Sequence, residues 1–288
     1  MDNSAVSYQG VKLSYDDGVT WALRDFSATI PQGKVTAIIG HTGSGKSSLM
    51  NLTDGLLLPT SGELVVMGHK LTTMTKKPAL NKLRHSIGFV FQFPEHQLFA
   101  DTGLTDVMFG PINLGLTTQE AKKAAKVALS ELGIDQSLYE RSPFELSGGQ
   151  QRRVAIAGVL AMKPKLLILD EPTAGLDPDG QQELLALIKR LKQAGLTILL
   201  VTHQMEQVAE LADRVLVLVA GQLVFSGSPR KLFADPAFLA KYHLAEPQTV
   251  TFAQQIMETY PELFEHFPIT PTELADTLAK NIGRQDHE

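Results

Sequence analysis

The octapeptide GHTGSGKS at Gly40–Ser47 constrains this chain more than any other stretch. It matches G-x-x-x-x-G-K-[ST] and follows directly on the apolar run VTAIIG. A strand ending in a glycine-rich turn, followed at once by the helix-forming SSLMNLTDGLL, is the context that makes such a pattern a phosphate-binding loop. The glycines let the backbone curl so that successive N–H groups and a helix N-terminus converge on one phosphate. Gly40, His41, Thr42, Gly43, Ser44, Gly45, Lys46, Ser47 and Ser48 are therefore the candidate nucleotide cradle. Within it Lys46 would reach the β- and γ-phosphates and Ser47 would ligate Mg2+. A glycine-rich turn that binds nothing is the competing reading, and the flanking strand and helix weigh against it.

A length of 288 residues allows about two domains, or one large α/β domain with additions. Charged residues at 20% and hydrophobic residues at 43% describe an ordinary globular chain. The longest apolar runs, LTILLV and VLVLV, are strand-sized, well short of the roughly 18 residues that cross a bilayer. The segment MDNSAVSYQG carries neither a basic nor an apolar leader region, so nothing in it directs secretion. With no cysteine, the chain has no disulfide, thiol catalysis or cysteine metal site. Residues 245–288 hold eight acidic and two basic side chains, which leaves the rest near neutral. A near-neutral body lacks the basic footprint of nucleic-acid binding, so no nucleic-acid partner is expected.

VKLSY, WALRDFSATI and KVTAIIG read as short strands separated by turns at Asp16–Gly18 and Pro31–Gly33. Tyr15, ahead of the loop, either stacks on an adenine ring or faces the core as a strand tyrosine. Strands ELVVMG and IGFVFQ follow, the second ending in Gln92. From 93 to 163 the pattern turns helical: Ala121, Ala124, Ala125, Ala128, Leu129 and Leu132 line one face of an amphipathic helix that Gly133 ends. LSGGQ then opens another helix. Its Ser-Gly-Gly start is a backbone-donor site for an anion, or an ordinary helix start capped by Ser147.

KLLILDEP supplies a buried strand that ends in Asp170 and Glu171. Paired acids at the carboxyl edge of a parallel sheet suggest one Mg2+-associated Asp and one water-activating Glu. LTILLVTH brings His203 to the same edge, as a site residue or as a hydrogen-bonded structural histidine. No histidine shows zinc-ligand spacing. The acidic segment reads as a small helical appendage, with FAQQIMETY and TPTELADTLAKNIG as helices and Leu274, Leu278 and Ile282 on one face.

The ordered set GHTGSGKS, Gln92, LSGGQ, LLILDE, AGLD and VTH resembles the nucleotide-binding subunits of ATP-binding-cassette transporters over residues 5 to 228. The resemblance implies an α/β P-loop NTPase in residues 1–228, with a RecA-like parallel-sheet core and an N-terminal antiparallel β subdomain. A helical signature subdomain is inserted near 93–163, and 229–288 form a small C-terminal helical extension. It also implies head-to-tail cassettes with ATP between the phosphate loop of one and the LSGGQ of the other. By position, Tyr15 would stack on adenine, and Lys46 and the loop amides would hold phosphates. Ser47, Gln92 and Asp170 would serve Mg2+, Glu171 would polarise the attacking water, and His203 would contact the γ-phosphate. Ser147, Gly148, Gly149 and Gln150 would act on ATP held by the partner, and Asp177 would couple the sites.

FQFPEHQLF followed by DVMFGPINLG, and the acidic extension, look like the second (A-prime) ATPase of energy-coupling-factor transporters. That implies a heterodimer with a related ATPase on the cytoplasmic face of the membrane. Its membrane partners would be a transmembrane coupling subunit and a membrane-embedded subunit that captures a vitamin or other micronutrient. Gln204 departs from the Asp that follows the histidine in many cassettes. A homodimeric importer ATPase and a soluble non-transport cassette are the alternatives, the second disfavoured by the absence of tandem cassettes, long heptads and basic arms.

Overall fold

Strands buried at every position must be covered on both faces, and Val35–Ile39 and Thr197–Val201 are such strands. The computed structural model describes residues 4–264 and 266–285, with 281–285 by backbone alone. In chain order the first elements are β1 Ser4–Ser14, β2 Trp21–Pro31, β3 Val35–Ile39, α1 Lys46–Thr53, β4 Ser61–Val66, β5 His69–Leu71, α2 Lys77–Arg84 and β6 Ile87–Val90. The helical segment contains α3 Gly103–Asn113, α4 Thr118–Glu131 and α5 Gly148–Leu160. Then come β7 Leu166–Asp170, α6 Pro178–Gln193, β8 Thr197–Val201, α7 Met205–Leu211, β9 Arg214–Val219 and β10 Gln222–Gly227. Helices α8 Pro229–Phe233, α9 Pro236–Lys241, α10 Gln248–Thr259 and α11 Pro271–Gln285 complete the chain.

Two sheets result. An antiparallel sheet has the order β2-β1-β4-β5, and a six-stranded sheet has the order β10-β9-β3-β8-β7-β6. In the larger sheet β9, β3, β8, β7 and β6 are mutually parallel, and β10 is an antiparallel edge strand. Alternation along β7 divides the core between its faces. Leu166 and Ile168 pack under the antiparallel sheet, with Tyr8 and Phe26 of that sheet and Leu49 of α1. Leu167 and Leu169 instead meet Val154, Ala157, Leu184 and Ile188 of α5 and α6. A third cluster joins Ala37, Ile39, Val215 and Val217 of the sheet to Phe233, Leu239, Val250 and Ile269.

The C-terminal helices therefore pack onto the sheet itself. Of the stripe anticipated in α11, Leu274 is buried, while the side chain of Ile282 lies outside the described residues. The short strand β5 is not legible in the sequence: HKL has no alternation of its own and pairs with β4 through Leu64–Val66. Helix α6 starts at Pro178 with Asp177 as N-cap, slightly ahead of the apolar periodicity.

Asp54, the C-cap of α1, sits at the negative end of a helix and is half-buried. Burial pushes its carboxyl from 3.8 up to about 6, against the pull of Arg84. The fold thus favours the protonated form. The resulting penalty is absent below the unfolded value, grows as pH rises from 3.8 and is complete above about 6. Asp54→Asn is expected to stabilise the protein by about 2 kcal/mol at pH 8 and hardly at all at pH 4, read from urea unfolding at both values.

Candidate functional site

The parallel pairing fixes which side chains meet. Val201 pairs with Ile38 on one side and with Asp170 on the other, and Leu169 pairs with Val90. The carboxyl ends of β3, β8, β7 and β6 therefore deliver the phosphate loop, His203, the Asp170–Glu171 pair and Gln92 to one sheet edge, in that order, at about 4.8 Å per strand.

The loop is shaped by close backbone packing. A Cβ on Gly40, whose φ is +147°, would lie 2.2 Å from the Leu218 carbonyl oxygen. A Cβ on Gly45, at φ +105°, would lie 2.6 Å from that of Ala22. Gly43, at φ +78°, has nothing within 4 Å of the same position, so open space lies beside it. Gly45 caps α1 with no side-chain bond, so the first amides of that helix are free to meet an anion. Ser44 and Ser48 are buried, and Ser44 Oγ has no protein partner. His41 is exposed, and its Nε2 lies 2.9 Å from the Tyr242 carbonyl oxygen.

Lys46 Nζ donates to the carbonyl oxygens of Gly40 at 2.6 Å and His41 at 2.9 Å. Burial lowers its pKa, and the charges of Glu171 and Asp170 oppose that shift. Asp170 is moved the other way: burial raises its carboxyl, the Glu171 charge adds to the rise, and Lys46 counters it. Two carboxylates and one ammonium thus share a poorly solvated corner. Ser47, Gln92 and Asp170 offer hydroxyl, amide and carboxylate oxygens, a hard donor set suited to Mg2+.

Glu171 adopts a left-handed backbone, φ +46°, a conformation that costs a non-glycine residue about 1–2 kcal/mol. Its amide donates to the Val201 carbonyl at 2.9 Å, and its Oε1 lies 2.8 Å from His203 Nδ1. Oε2 is buried without a protein partner, an acceptor free for a water molecule. The His203 side chain is 72% exposed, so the ring is hydrogen-bonded to Glu171 on one edge and open to solvent on the other. Tyr15 is 62% exposed with its hydroxyl 2.9 Å from Ser48 Oγ, which rules out the core-facing alternative and leaves its ring beside the loop helix.

Ser147 does cap α5, accepting from the Gln150 amide at 3.3 Å, and the Gln150 side chain accepts from the Ser147 amide at 3.0 Å. The Gln150 side chain is thereby committed to its own helix end, while Gly148 and Gly149 stand exposed with open space around them. This helix start opens on a cavity of about 790 Å³ lined also by Asp177, Arg153 and Glu183, and by none of residues 40–48. Asp177 is exposed and accepts from the Gly180 amide at 2.8 Å.

Two features escaped the sequence reading. Arg152, 3% exposed, lies 3.2 Å from Glu95 without hydrogen-bond alignment, donates to the Ala174 carbonyl at 2.7 Å and sits over the Phe93 ring. Thr173, Thr202 and Gln207 form a buried polar cluster behind Glu171 and His203. A Thr or Gln between apolar positions carries no sequence signal that separates a solvated from a buried site.

A phosphate loop and strand-end acids on a parallel sheet, flanked by an antiparallel sheet and a helical signature segment, define a P-loop NTPase of the ATP-binding-cassette type. The ABC transporter family model matches residues 23–174. Over 96% of this chain and 98% of its own length, the energy-coupling factor transporter ATP-binding protein EcfA2 of Ligilactobacillus salivarius is 47% identical. EcfA2 of Lactiplantibacillus plantarum is 46% identical over 96% of this chain and 95% of its own. Among solved structures, cbiO1 from Clostridium perfringens, part of the ABC transporter complex cbiONQ, aligns with TM-score 0.75 and 37% identity over 89% of this chain and 99% of that one. The ATP-binding cassette MJ0796, a dimer in a post-hydrolysis state bound to ADP and Pi, aligns with TM-score 0.68 and 31% identity over 78% of this chain and 99% of that one. The chain belongs to the ABC transporter ATPases and, among them, to the energy-coupling-factor ATP-binding proteins. It is an ATP-binding and ATP-hydrolysing transporter subunit. Among the described residues no helix is long and apolar enough to cross a membrane.

Gly40→Ala is expected to cost about 2–4 kcal/mol and at least tenfold in ATP affinity, because the added methyl meets main chain. Gly43→Ala, with open space around it, should cost only about 1 kcal/mol. Urea unfolding and fluorescent-nucleotide titration of both variants check the contrast.

Proposed function

We propose that this chain contributes half of each of two composite ATP sites in a heterodimer with a second, homologous ATPase. Seated on a transmembrane coupling subunit at the cytoplasmic face of the membrane, the pair would drive uptake of a vitamin or other micronutrient taken up by a membrane-embedded capture subunit. One observation carries the composite-site reading: the Ser147–Gly149 helix start opens on a cavity that no phosphate-loop residue lines, so each donor set needs a complement from elsewhere. The dimeric state of the MJ0796 cassette supports the same arrangement.

On this reading Tyr15 stacks on adenine, and the amides of 40–48 and Lys46 hold the phosphates, Lys46 exchanging its two carbonyl partners for phosphate oxygens. Ser47, Gln92 and Asp170 hold Mg2+, which supplies neutralisation of charge on the β- and γ-phosphates. Glu171 orients the attacking water through its free Oε2 while His203 restrains Oε1 and faces the γ-phosphate. Ser147 and the amides of Gly148 and Gly149 complete the site of the other ATPase, and Asp177 lies between the two. Gln150 serves by holding Ser147 in its cap. The exposed Phe99 and Phe109, edge-to-face at 4.9 Å, form the surface offered to the coupling subunit.

Glu171→Gln should retain ATP binding but lower steady-state hydrolysis by the assembled complex at least a hundredfold. Undiminished turnover in that complex would remove Glu171 from the role of base. Deleting 245–288 would also remove Val250 and Ile269, which belong to the sheet's core, so a surface substitution gives the cleaner test of pairing. Phe252 is 54% exposed beside Leu274 and Leu278. Phe252→Asp should weaken association of the two ATPases about tenfold or more with little change in the unfolding midpoint. Co-purification with untagged partners and identification by mass checks the heterodimer directly, since a single ATPase species would indicate a homodimer.

A further inference from the structure

We propose that Gln207, on the first turn of α7, is a positioning residue for hydrolysis. It locks the loop that carries Glu171 to the loop that carries His203. Gln207 is 2% exposed, and the two threonines it joins, Thr173 and Thr202, are as deeply buried. Its Nε2 donates to Thr173 Oγ1 at 2.6 Å and to Gln204 Oε1 at 2.8 Å, and its Oε1 accepts from Thr202 Oγ1 at 3.1 Å. Every hydrogen-bonding site on the amide nitrogen is thus used. Gln204, where the sequence departs from the usual Asp, closes the ring: its Nε2 donates to Thr173 Oγ1 at 3.3 Å and its own amide to Thr202 Oγ1 at 3.1 Å. Correspondingly, α7 starts without a side-chain cap, because the Gln204 side chain is turned inward.

The ring matters because of what stands in front of it. Thr173 is two residues beyond Glu171, whose left-handed backbone needs its surroundings to hold it. Thr202 immediately precedes His203, whose exposed ring meets the protein through the 2.8 Å contact to Glu171 Oε1. The bond from the Glu171 amide to the Val201 carbonyl joins the two loops at the strand ends, and the Gln207 ring joins them one step further out. Together the two attachments fix how far Glu171 and His203 stand apart, and so where the free Oε2 points. A shift of about 1 Å in such a group is enough to cost on the order of a hundredfold in rate.

This inference rests on the proposed roles of Glu171 and His203, and the experiment separates the two. ATPase kinetics are measured on the assembled complex carrying Gln207→Leu, Thr173→Val, Thr173→Ser, Glu171→Gln, or Gln207→Leu with Glu171→Gln. The expected result for Gln207→Leu and Thr173→Val is a fall in kcat of about tenfold or more with KM for ATP within twofold. Thr173→Ser, which keeps the hydroxyl, should restore the rate, and Gln207→Leu should add no further loss once Glu171 is Gln. An active Glu171→Gln complex would overturn the functional reading itself. An inactive Glu171→Gln beside a normal kcat in both ring-breaking variants would overturn the positioning role alone, as would a loss confined to KM or one that Thr173→Ser shares. Where Gln207→Leu does not fold, the Thr173 pair decides.

Discussion

The main-chain ladder through β3, β8 and β7 is the constraint on which every other placement depends. Because the strands are parallel and in register at Ile38, Val201 and Asp170, their carboxyl ends finish level with one another. A slip of one residue would turn Asp170 to the opposite face and carry Leu169 to the edge. The apolar content of these strands stabilises the sheet, and that same burial forbids the slip, since Leu167 and Leu169 already have neighbours in α5 and α6. The loops then inherit their spacing from the sheet. Lys46, Asp170 and Glu171 come from two strand ends yet interact as one electrostatic unit, and His203 from a third is hydrogen-bonded to Glu171.

Within that unit burial and charge work against each other. Desolvation pulls Lys46 down and pushes Asp170 up, which is what a poorly hydrated corner does to any ionised group. Their mutual attraction returns part of the cost. On the proposed reading, nucleotide phosphates and a divalent cation would bring the missing opposite charges, so the same corner becomes balanced on binding. The glycines serve this balance indirectly: at Gly40 and Gly45 the loop presses against main chain from β9 and β2, so it approaches its ligand with its path already set.

Most of the fold and the candidate site residues are legible because they carry strong local chemistry. GHTGSGKS is readable from its glycines, LLILDE from an apolar run stopped by two acids, and the helix over Ala121–Leu132 from its period. Less was legible where the signal is a long-range contact. Nothing in Gly40 announces the Leu218 carbonyl across the sheet, and nothing in Gln207 separates it from a solvated helix residue. For Tyr15 an alternating strand fits both core and ligand, and its position just beyond β1 takes it out of the core. The left-handed Glu171 has no local signal, since neither glycine nor asparagine stands there to mark the conformation.

Helix α10 has two audiences. Val250 joins the core under the sheet and Ala253 is fully buried, while Phe252 looks outward one position away. A substitution on the inner face is judged by whether the chain folds, and one on the outer face by what the folded chain meets. Drift in sequence along this helix should therefore rise and fall with the turn of the helix rather than increase toward the chain end, and on the proposed pairing two paralogous ATPases would diverge in their choice of partner here while keeping the same sheet sealed.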